Sequence, residues 1–139
     1  SHIRTAFEMF KDNPILGHGP KMFRKKCSDP KYKYDSRSCT THPHNFLVQL
    51  LAETGFIGAS YFLGFFLYIL YCSFRQIKSI LFRKKRYFTD YQVSLLAALL
   101  ISVWPLAPNG NFFNNWLMIV YFLPVGFFLQ SIYPKKLIE

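Results

Sequence analysis

The chain has 139 residues, of which 51% are hydrophobic and 19% aromatic but only 17% charged, and its formal net charge is +10. A composition this apolar leaves too little polar surface for a soluble domain, and it equally excludes an intrinsically disordered chain. We therefore expect an all-α integral membrane protein, a polytopic helical bundle, and we interpret the chain as the C-terminal part of a longer protein because it starts without Met or a signal peptide.

Residues 1–45 are predicted to form a loop outside the membrane that contains one short helix. Apolar residues recur with helical spacing over residues 4–10, and a cluster of Pro and Gly predicts a turn over residues 14–20. The polar and basic stretch that follows, residues 21–37, is expected to be irregular.

Cys27 and Cys39 lie in this loop with eleven residues between them. In an oxidising compartment this favours a disulfide, which stabilises by about 3 kcal/mol in the chain-entropy model for a loop of this size. Free thiols are a second interpretation. A zinc site completed by His42 and His44 is the least favoured, because the spacing matches no common zinc pattern and C-x-x-C is absent.

Residues 40–45 are the segment best suited to chemistry, because they contain His42, His44 and Asn45. Pro43 fits the first position of a helix, so His44 is expected in the first turn. The positive end of the helix dipole disfavours protonation there, and a neutral imidazole can take a proton from a sugar hydroxyl. On residue type alone, a polar residue that merely ends the loop is the more common case.

Three transmembrane helices are predicted. An apolar helix over residues 46–74 begins outside the bilayer and continues into the first span, whose uncharged residues 54–74 are long enough to cross roughly 30 Å of hydrocarbon. After a basic loop at residues 75–90, a long uncharged stretch is interrupted by Pro, Asn and Gly, which predicts a hairpin over residues 91–133. The two helices of that hairpin are placed at about 91–107 and 112–133.

The distribution of basic residues predicts the orientation. The short loop 75–90 carries six of them, so the positive-inside rule places it in the cytoplasm, and Lys135 and Lys136 in the tail 134–139 agree. Residues 1–45 must then face the other side of the membrane, although they carry nine basic and only four acidic residues. Because this excess opposes the usual bias, we expect it to serve an anionic ligand.

The sequence also resembles the superfamily of O-antigen ligases and O-antigen polymerases. His44 and Asn45, followed after nine residues by the GFIG of residues 55–58, are similar to the family pattern of His, then Asn, Ser or Gln, then nine residues and G-x-x-G. Ala59 departs from the Thr or Val that is frequent in ligases, which weakens the ligase subtype but not the family.

A second motif of the same family lies upstream. The PILGHGP of residues 14–20, with Phe23, resembles a signature of Pro, Leu or Ile, any residue and then G-x-G-P-x-x-F. Arg4 lies ten residues before Pro14, where the family places an arginine. The motif glycines are interpreted as structural, in tight turns or close helix packing. They are Gly17, Gly19, Gly55 and Gly58.

The resemblance implies a glycosyltransferase of the bacterial inner membrane whose active site faces the periplasm. It implies a glycan donor linked to undecaprenyl pyrophosphate, an acceptor that is lipid A-core or a second lipid-linked glycan, and no metal or other cofactor. By motif position, His44 is the candidate base and Arg4 the pyrophosphate clamp, since a guanidinium makes bidentate, permanently charged contacts. Weaker candidates are Arg24 and Lys25 for the pyrophosphate, and His42 and Asn45 for support of His44 or contact with the acceptor.

Two other functions remain open on the sequence alone. Spans interrupted by Gly and Pro suggest a transporter, but the three predicted spans contain no Asp, Glu, Lys, Arg or His that could line a path. A non-catalytic scaffold whose basic loop binds anionic lipid is the other. No nucleic-acid partner is expected. We further expect this part of the protein to be inactive by itself, because sugar specificity and a further arginine are expected upstream.

Overall fold

The computed structural model describes residues 1–83 and 85–133. Within these ranges the secondary structure is entirely helical, as expected. The helices are α1 (His2–Asp12), α2 (Phe23–Lys26), α3 (Phe46–Leu81), α4 (Asp90–Ser102) and α5 (Asn115–Ile132). Lys84 of the predicted basic loop, and the predicted tail 134–139 with Lys135 and Lys136, lie outside the described residues.

The helices are distributed over two compact units. The motif unit comprises residues 1–64 and 105–117, and the apolar unit comprises residues 65–104 with the described chain from residue 118 onward. Both motifs identified in the sequence lie in the motif unit. The predicted cytoplasmic loop lies in the apolar unit.

Two helices, α3 and α5, are long and apolar enough to cross a membrane. The predicted span over residues 91–107 is shorter in the structure, because α4 ends at Ser102 after 13 residues. At 1.5 Å per residue that is about 20 Å of helix, less than the roughly 30 Å of hydrocarbon. Pro105 explains the early end, since proline cannot continue a helix and disfavours the helical conformation of the residue before it.

The basic loop is also shorter than the predicted 75–90, because α3 continues to Leu81. The charged residues therefore mark the end of the apolar stretch and not the end of the helix. Gln76 is buried in this last part of α3, and its side-chain oxygen accepts hydrogen bonds from the backbone N–H groups of Tyr87 and Phe88 at 3.2 and 3.0 Å. These bonds fasten the chain that leads into α4.

The start of α5 differs from the predicted residue 112. The side-chain oxygen of Asn114 accepts from the N–H groups of Trp116 and Leu117, at 3.1 and 3.4 Å, so Asn114 caps a helix that begins at Asn115. Asparagine is among the preferred residues at this position because it satisfies donors that have no partner in the first turn.

The core of the motif unit forms where α1 meets the loop and α3. Six buried side chains make up this cluster: Ala6, Met9, Phe23, Cys27, Tyr32 and Ala52. Because α1, the loop and α3 all contribute, residues 1–45 are packed onto the start of the long helix.

Candidate functional site

Helix α3 is broken at Gly55, whose φ of 64° and ψ of −162° are not helical. In a continuous helix the next two N–H groups would donate to carbonyls four residues back. Here the N–H of Phe56 donates to the carbonyl of Pro14 at 2.7 Å, and the N–H of Ile57 donates to that of Ile15 at 3.3 Å. The break in α3 therefore binds the beginning of the PILGHGP loop.

The carbonyls released by the break bind the second half of the same loop. The carbonyl of Ala52 accepts from the N–H of His18 at 3.1 Å, and the carbonyl of Glu53 accepts from the N–H of Gly19 at 2.7 Å. Each backbone group that loses its helical partner thus gains one in the loop, as buried backbone groups require. The break in α3 and the PILGHGP loop are thus joined by four backbone hydrogen bonds that replace helical ones, and we call this arrangement the backbone exchange.

This exchange explains two of the motif glycines. Gly17 and Gly55 both have positive φ, and a Cβ on Gly17 would overlap the backbone of Glu53, while a Cβ on Gly55 would overlap the carbonyl of Ile15. Gly19 also has a positive φ, of 100°. Only glycine adopts these conformations without strain and allows the backbones to approach. Gly55 therefore serves contact with the loop, where the sequence suggested contact between helices.

Gly58 has a different neighbour. It lies one turn after the break, where an added Cβ would overlap the side chain of Thr54 on the same helix. The Thr54 hydroxyl itself donates to the carbonyl of Leu50 at 2.8 Å. The described contact at Gly58 is thus within α3.

His44 lies just before α3 and not in its first turn, so that expectation is wrong. The helix begins at Phe46, and Asn45 is its cap, because the Asn45 side-chain oxygen accepts from the N–H of Val48 at 3.0 Å. His44 has a φ of 59° and an exposed side chain. A non-glycine residue in the left-handed region is uncommon, although histidine is enriched there, and such residues are found at functional sites.

Two other imidazoles surround His44. The ring centroid of His42 lies 4.2 Å from that of His44, and the centroid of His2 in α1 lies 5.3 Å from it. Burial lowers the pKa of both His2 and His42, and the proximity of His44 lowers each pKa further. Both neighbours of His44 therefore favour the neutral form.

Arg4 is exposed on α1, two residues after His2. Its guanidinium carbon lies 3.9 Å from the ring centroid of Tyr34, a cation–π contact. Within residues 1–83 and 85–133 the guanidinium forms no ion pair with a carboxylate. Its hydrogen-bond donors are therefore oriented by stacking and remain available to an anion.

Arg24 and Lys25 are neighbours in α2 but face different surroundings. Arg24 lines a cleft of about 320 Å³, whereas Lys25 is exposed and does not line it. The complete lining is Lys21, Arg24, Asn111, Phe113, Asn114 and Asn115. Of the two weaker pyrophosphate candidates, Arg24 thus lines this cleft and Lys25 does not.

The part of the chain that holds these features matches a known family. Residues 1–63 match the family described as O-antigen ligase. The match covers 63 of the 139 residues and shows which family this segment is similar to. Comparison with curated proteins and with solved structures gave no match. The matched segment contains Arg4, both glycine motifs and His44, which confirms the resemblance seen in the sequence.

Similarity to the O-antigen ligase family carries coarse information on function. It implies a membrane protein of glycosyltransferase type that acts on lipid-linked glycans in lipopolysaccharide biosynthesis. The two apolar helices α3 and α5 fit the inner membrane in which this family resides.

In the segment that matches the O-antigen ligase family, Asn45 positions His44 through the backbone and not through its ring. The Asn45 amide nitrogen donates to the carbonyl of Pro105 at 2.7 Å. The carbonyl of His44 accepts from the N–H of Asn109 at 2.9 Å. The chain that carries His44 is therefore fastened to the 105–111 segment of the motif unit.

Cys27 and Cys39 form a disulfide with a Cα–Cα distance of 4.9 Å, whereas Cys72 is a free, buried thiol. This is the pairing favoured by the sequence. It leaves no thiolate for the alternative zinc site with His42 and His44. Among residues 1–83 and 85–133, no group of three or more His, Cys, Asp or Glu is arranged to hold a metal.

Sequence reasoning missed three groups near the site: His2, Lys21 and the pair Gln49–Glu53. His2 carries no signal of its own, since its contact with His44 depends on how α1 docks. Gln49 and Glu53 do carry one, because two polar residues four apart share one face of an apolar helix. Both are buried in the structure.

Proposed function

We propose that the protein is a membrane glycosyltransferase of O-antigen ligase or polymerase type. It takes a glycan from an undecaprenyl-pyrophosphate carrier on the periplasmic side and passes it to lipid A-core or to a second lipid-linked glycan. The observation that carries the proposal is the match of residues 1–63 with the O-antigen ligase family, with Arg4 and His44 at the motif positions.

His44 is proposed as the general base. The acceptor hydroxyl loses its proton to an imidazole nitrogen of His44 while its oxygen attacks the anomeric carbon of the donor sugar. The bond from that carbon to the pyrophosphate oxygen breaks, and the pyrophosphate leaves with the electron pair. The exposed side chain of His44 supports this role, because a general base must be within reach of the acceptor hydroxyl.

Arg4 is proposed to bind the pyrophosphate. The leaving group gains negative charge as the bond breaks, and a guanidinium offers it two parallel hydrogen bonds. Stacking on Tyr34 supports the role because it limits the conformations of the Arg4 side chain. Arg24 and Lys25 add positive potential, and the proposed reaction uses no metal.

The proposed topology retains three spans, with α4 as the second. The basic loop after α3 lies in the cytoplasm, and residues 1–45 lie in the periplasm. The disulfide Cys27–Cys39 supports this orientation, since disulfides persist in the oxidising periplasm and not in the cytosol.

The test is the lipopolysaccharide profile of cells that express full-length protein carrying Arg4→Lys, with the same protein carrying Lys25→Arg as the matched control. Arg4→Lys should abolish long glycan chains, because a single ammonium cannot replace a bidentate contact. Lys25→Arg should leave the profile unchanged. A normal profile for Arg4→Lys at normal membrane levels would indicate the scaffold alternative instead.

The same profile separates the two subtypes in cells that lack the protein. Loss of long chains with single repeats retained indicates a polymerase. Loss of all repeats on lipid A-core indicates a ligase.

A further inference from the structure

The cleft beside α2 has two chemically different walls. Lys21 and Arg24 form a cationic wall, and Asn111 and Asn114 with Phe113 form a wall of amides and one aromatic ring. Its volume of about 320 Å³ is within the range of small-molecule sites. Such a pairing suits a ligand that carries an anionic group on one side and hydroxyls on the other.

The cations of this cleft are available to a ligand. Within residues 1–83 and 85–133, neither Lys21 nor Arg24 forms an ion pair with a carboxylate. The Oδ1 atoms of Asn111 and Asn114 already accept hydrogen bonds within the protein, so their Nδ2 groups are the part of each amide that can donate to the oxygen of a sugar hydroxyl.

A buried carboxylate holds the cationic wall in place. Glu53 is 1% exposed, and its Oε1 accepts from the backbone N–H of Phe23 at 2.7 Å. Phe23 lies between Lys21 and Arg24 in the chain. The position of both cations therefore depends on a side chain of α3.

A buried amide holds the opposite wall. Gln49 is fully buried, and its Nε2 donates to Glu53 Oε2 at 2.9 Å and to Asn111 Oδ1 at 2.8 Å. Its Oε1 accepts from the N–H of Phe112 at 2.9 Å. Gln49 and Glu53 thus connect the two walls through one continuous chain of hydrogen bonds.

Burying an amide and a carboxylate in an apolar helix is costly unless all their hydrogen bonds are made, and a complete network then fixes one geometry. We propose that this cleft binds an acidic unit of the glycan, a sugar that carries a phosphate or carboxylate group, and that Gln49 and Glu53 are positioning residues that set the spacing of its walls. The identity of the ligand as a glycan rests on the proposed function, whereas the site does not depend on His44 or Arg4.

The experiment is a titration of purified full-length protein in detergent with glucose 1-phosphate, inorganic phosphate and glucose, followed by calorimetry or ligand-observed NMR. All proteins carry Arg4→Gln, so that the proposed pyrophosphate clamp contributes no binding. Arg24→Gln should weaken the binding of glucose 1-phosphate at least about tenfold, because a charge-assisted hydrogen bond is lost. Lys33→Gln, which removes an exposed charge that does not line the cleft, should change the affinity less than about twofold.

Equal effects of Arg24→Gln and Lys33→Gln would overturn the site. So would inorganic phosphate that binds as tightly as glucose 1-phosphate, because the amide wall would then contribute nothing. These outcomes do not depend on glycan transfer. If Arg24→Gln does not weaken binding but Arg4→Lys abolishes glycan transfer in cells, only the proposal for the cleft fails. If Arg24→Gln weakens binding as expected but Arg4→Lys leaves transfer normal, only the proposed function fails.

Glu53→Gln tests the positioning role. The new side chain keeps an oxygen that accepts from the N–H of Phe23, but its NH₂ group then faces the NH₂ group of Gln49. Gln49 can therefore no longer keep its hydrogen bonds toward both walls of the cleft. We expect the preference for glucose 1-phosphate over inorganic phosphate to fall at least about fivefold, because the amide wall shifts relative to the cations. An unchanged preference in Glu53→Gln, at an unchanged melting temperature, would overturn the role of the pair. If Glu53→Gln does not fold, Asn111→Ala at the far end of the network should lower the same preference, and an unchanged ratio there has the same meaning.

Discussion

The motif unit and the apolar unit are stabilised by different interactions. In the motif unit, backbone groups of the broken α3 pair with the PILGHGP loop, and buried side chains such as Gln49 make several hydrogen bonds. In the described part of the apolar unit, the backbone hydrogen bonds at the helix ends join residues at most four positions apart. Ring contacts join its segments, among them Phe66 with Trp104 at 5.6 Å between ring centroids and Phe88 with Phe128 at 5.8 Å.

The difference shows why sequence motifs concentrate in one unit. A backbone exchange requires particular residues at particular places, since only glycine fits at Gly17 and Gly55. Packing of apolar side chains accepts many combinations of similar volume. Substitutions in the motif unit should therefore cost far more than chemically similar ones in the apolar unit.

The largest effect is expected for Gly17→Ala and Gly55→Ala. Each forces a Cβ into backbone at positive φ, and we expect a loss of several kcal/mol, on the order of 3 or more. Gly126→Ala in the apolar unit is the control, because an added Cβ there meets nothing within 4 Å. It should change stability by no more than about 1 kcal/mol. Thermal unfolding of the full-length protein in detergent measures the difference, and similar effects at Gly55 and Gly126 would contradict the exchange.

Loss of the disulfide should have the next largest effect. Cys27→Ser with Cys39→Ser is expected to destabilise by about 3 kcal/mol, because the unfolded chain regains the freedom of the closed loop. Cys72→Ser removes the free thiol of the apolar unit and is the comparison. Maleimide labelling of the unfolded, unreduced protein should find Cys72 reactive and Cys27 unreactive, and labelling of Cys27 would contradict the pairing.

Asn45→Ala should cost about 2 kcal/mol, since it removes the cap of α3 together with the hydrogen bond to Pro105. In the apolar unit, Thr89 caps α4 in a capping box with Gln92 but makes no such distant bond. Thr89→Ala should cost about 1 kcal/mol. Melting temperatures of the two variants provide the test, and a greater loss for Thr89→Ala would weaken the comparison.

The smallest effect is expected from pH. The pKa of His42 is lowered from 6.5 in the folded protein, mainly by burial, so the unfolded chain takes up a proton first as the pH falls. Stability present above about pH 6.5 should therefore decline below it. Asp12, whose pKa is lowered from 3.8 by hydrogen bonds from Lys31 and Tyr32, acts in the same direction only at lower pH. Melting temperatures between pH 7 and 5 should fall less in His42→Gln than in the parent protein.

The sequence predicts what local patterns determine. Helical spacing over residues 4–10 predicts α1, and the family motifs identify His44 and the glycines. The backbone exchange at Gly55 cannot be predicted from the sequence, because it depends on backbone groups that approach each other only when the loop folds against α3. Pro105 does indicate the early end of α4 in the sequence, but the hairpin prediction extended this helix to residue 107 and so placed Pro105 inside it. The contact of His2 with His44 has no local signal.

The most direct test of the account is the rate of glycan transfer by purified full-length protein carrying His44→Ala, with a lipid-linked glycan donor. His42→Gln, which retains the exposed His44, is the matched control, and melting temperatures establish that both variants are folded. We expect His44→Ala to lower the rate at least about 100-fold, as loss of a general base does, and His42→Gln to lower it less than about tenfold. Transfer by His44→Ala at the rate of the unaltered protein would contradict the role of His44 in the proposed reaction.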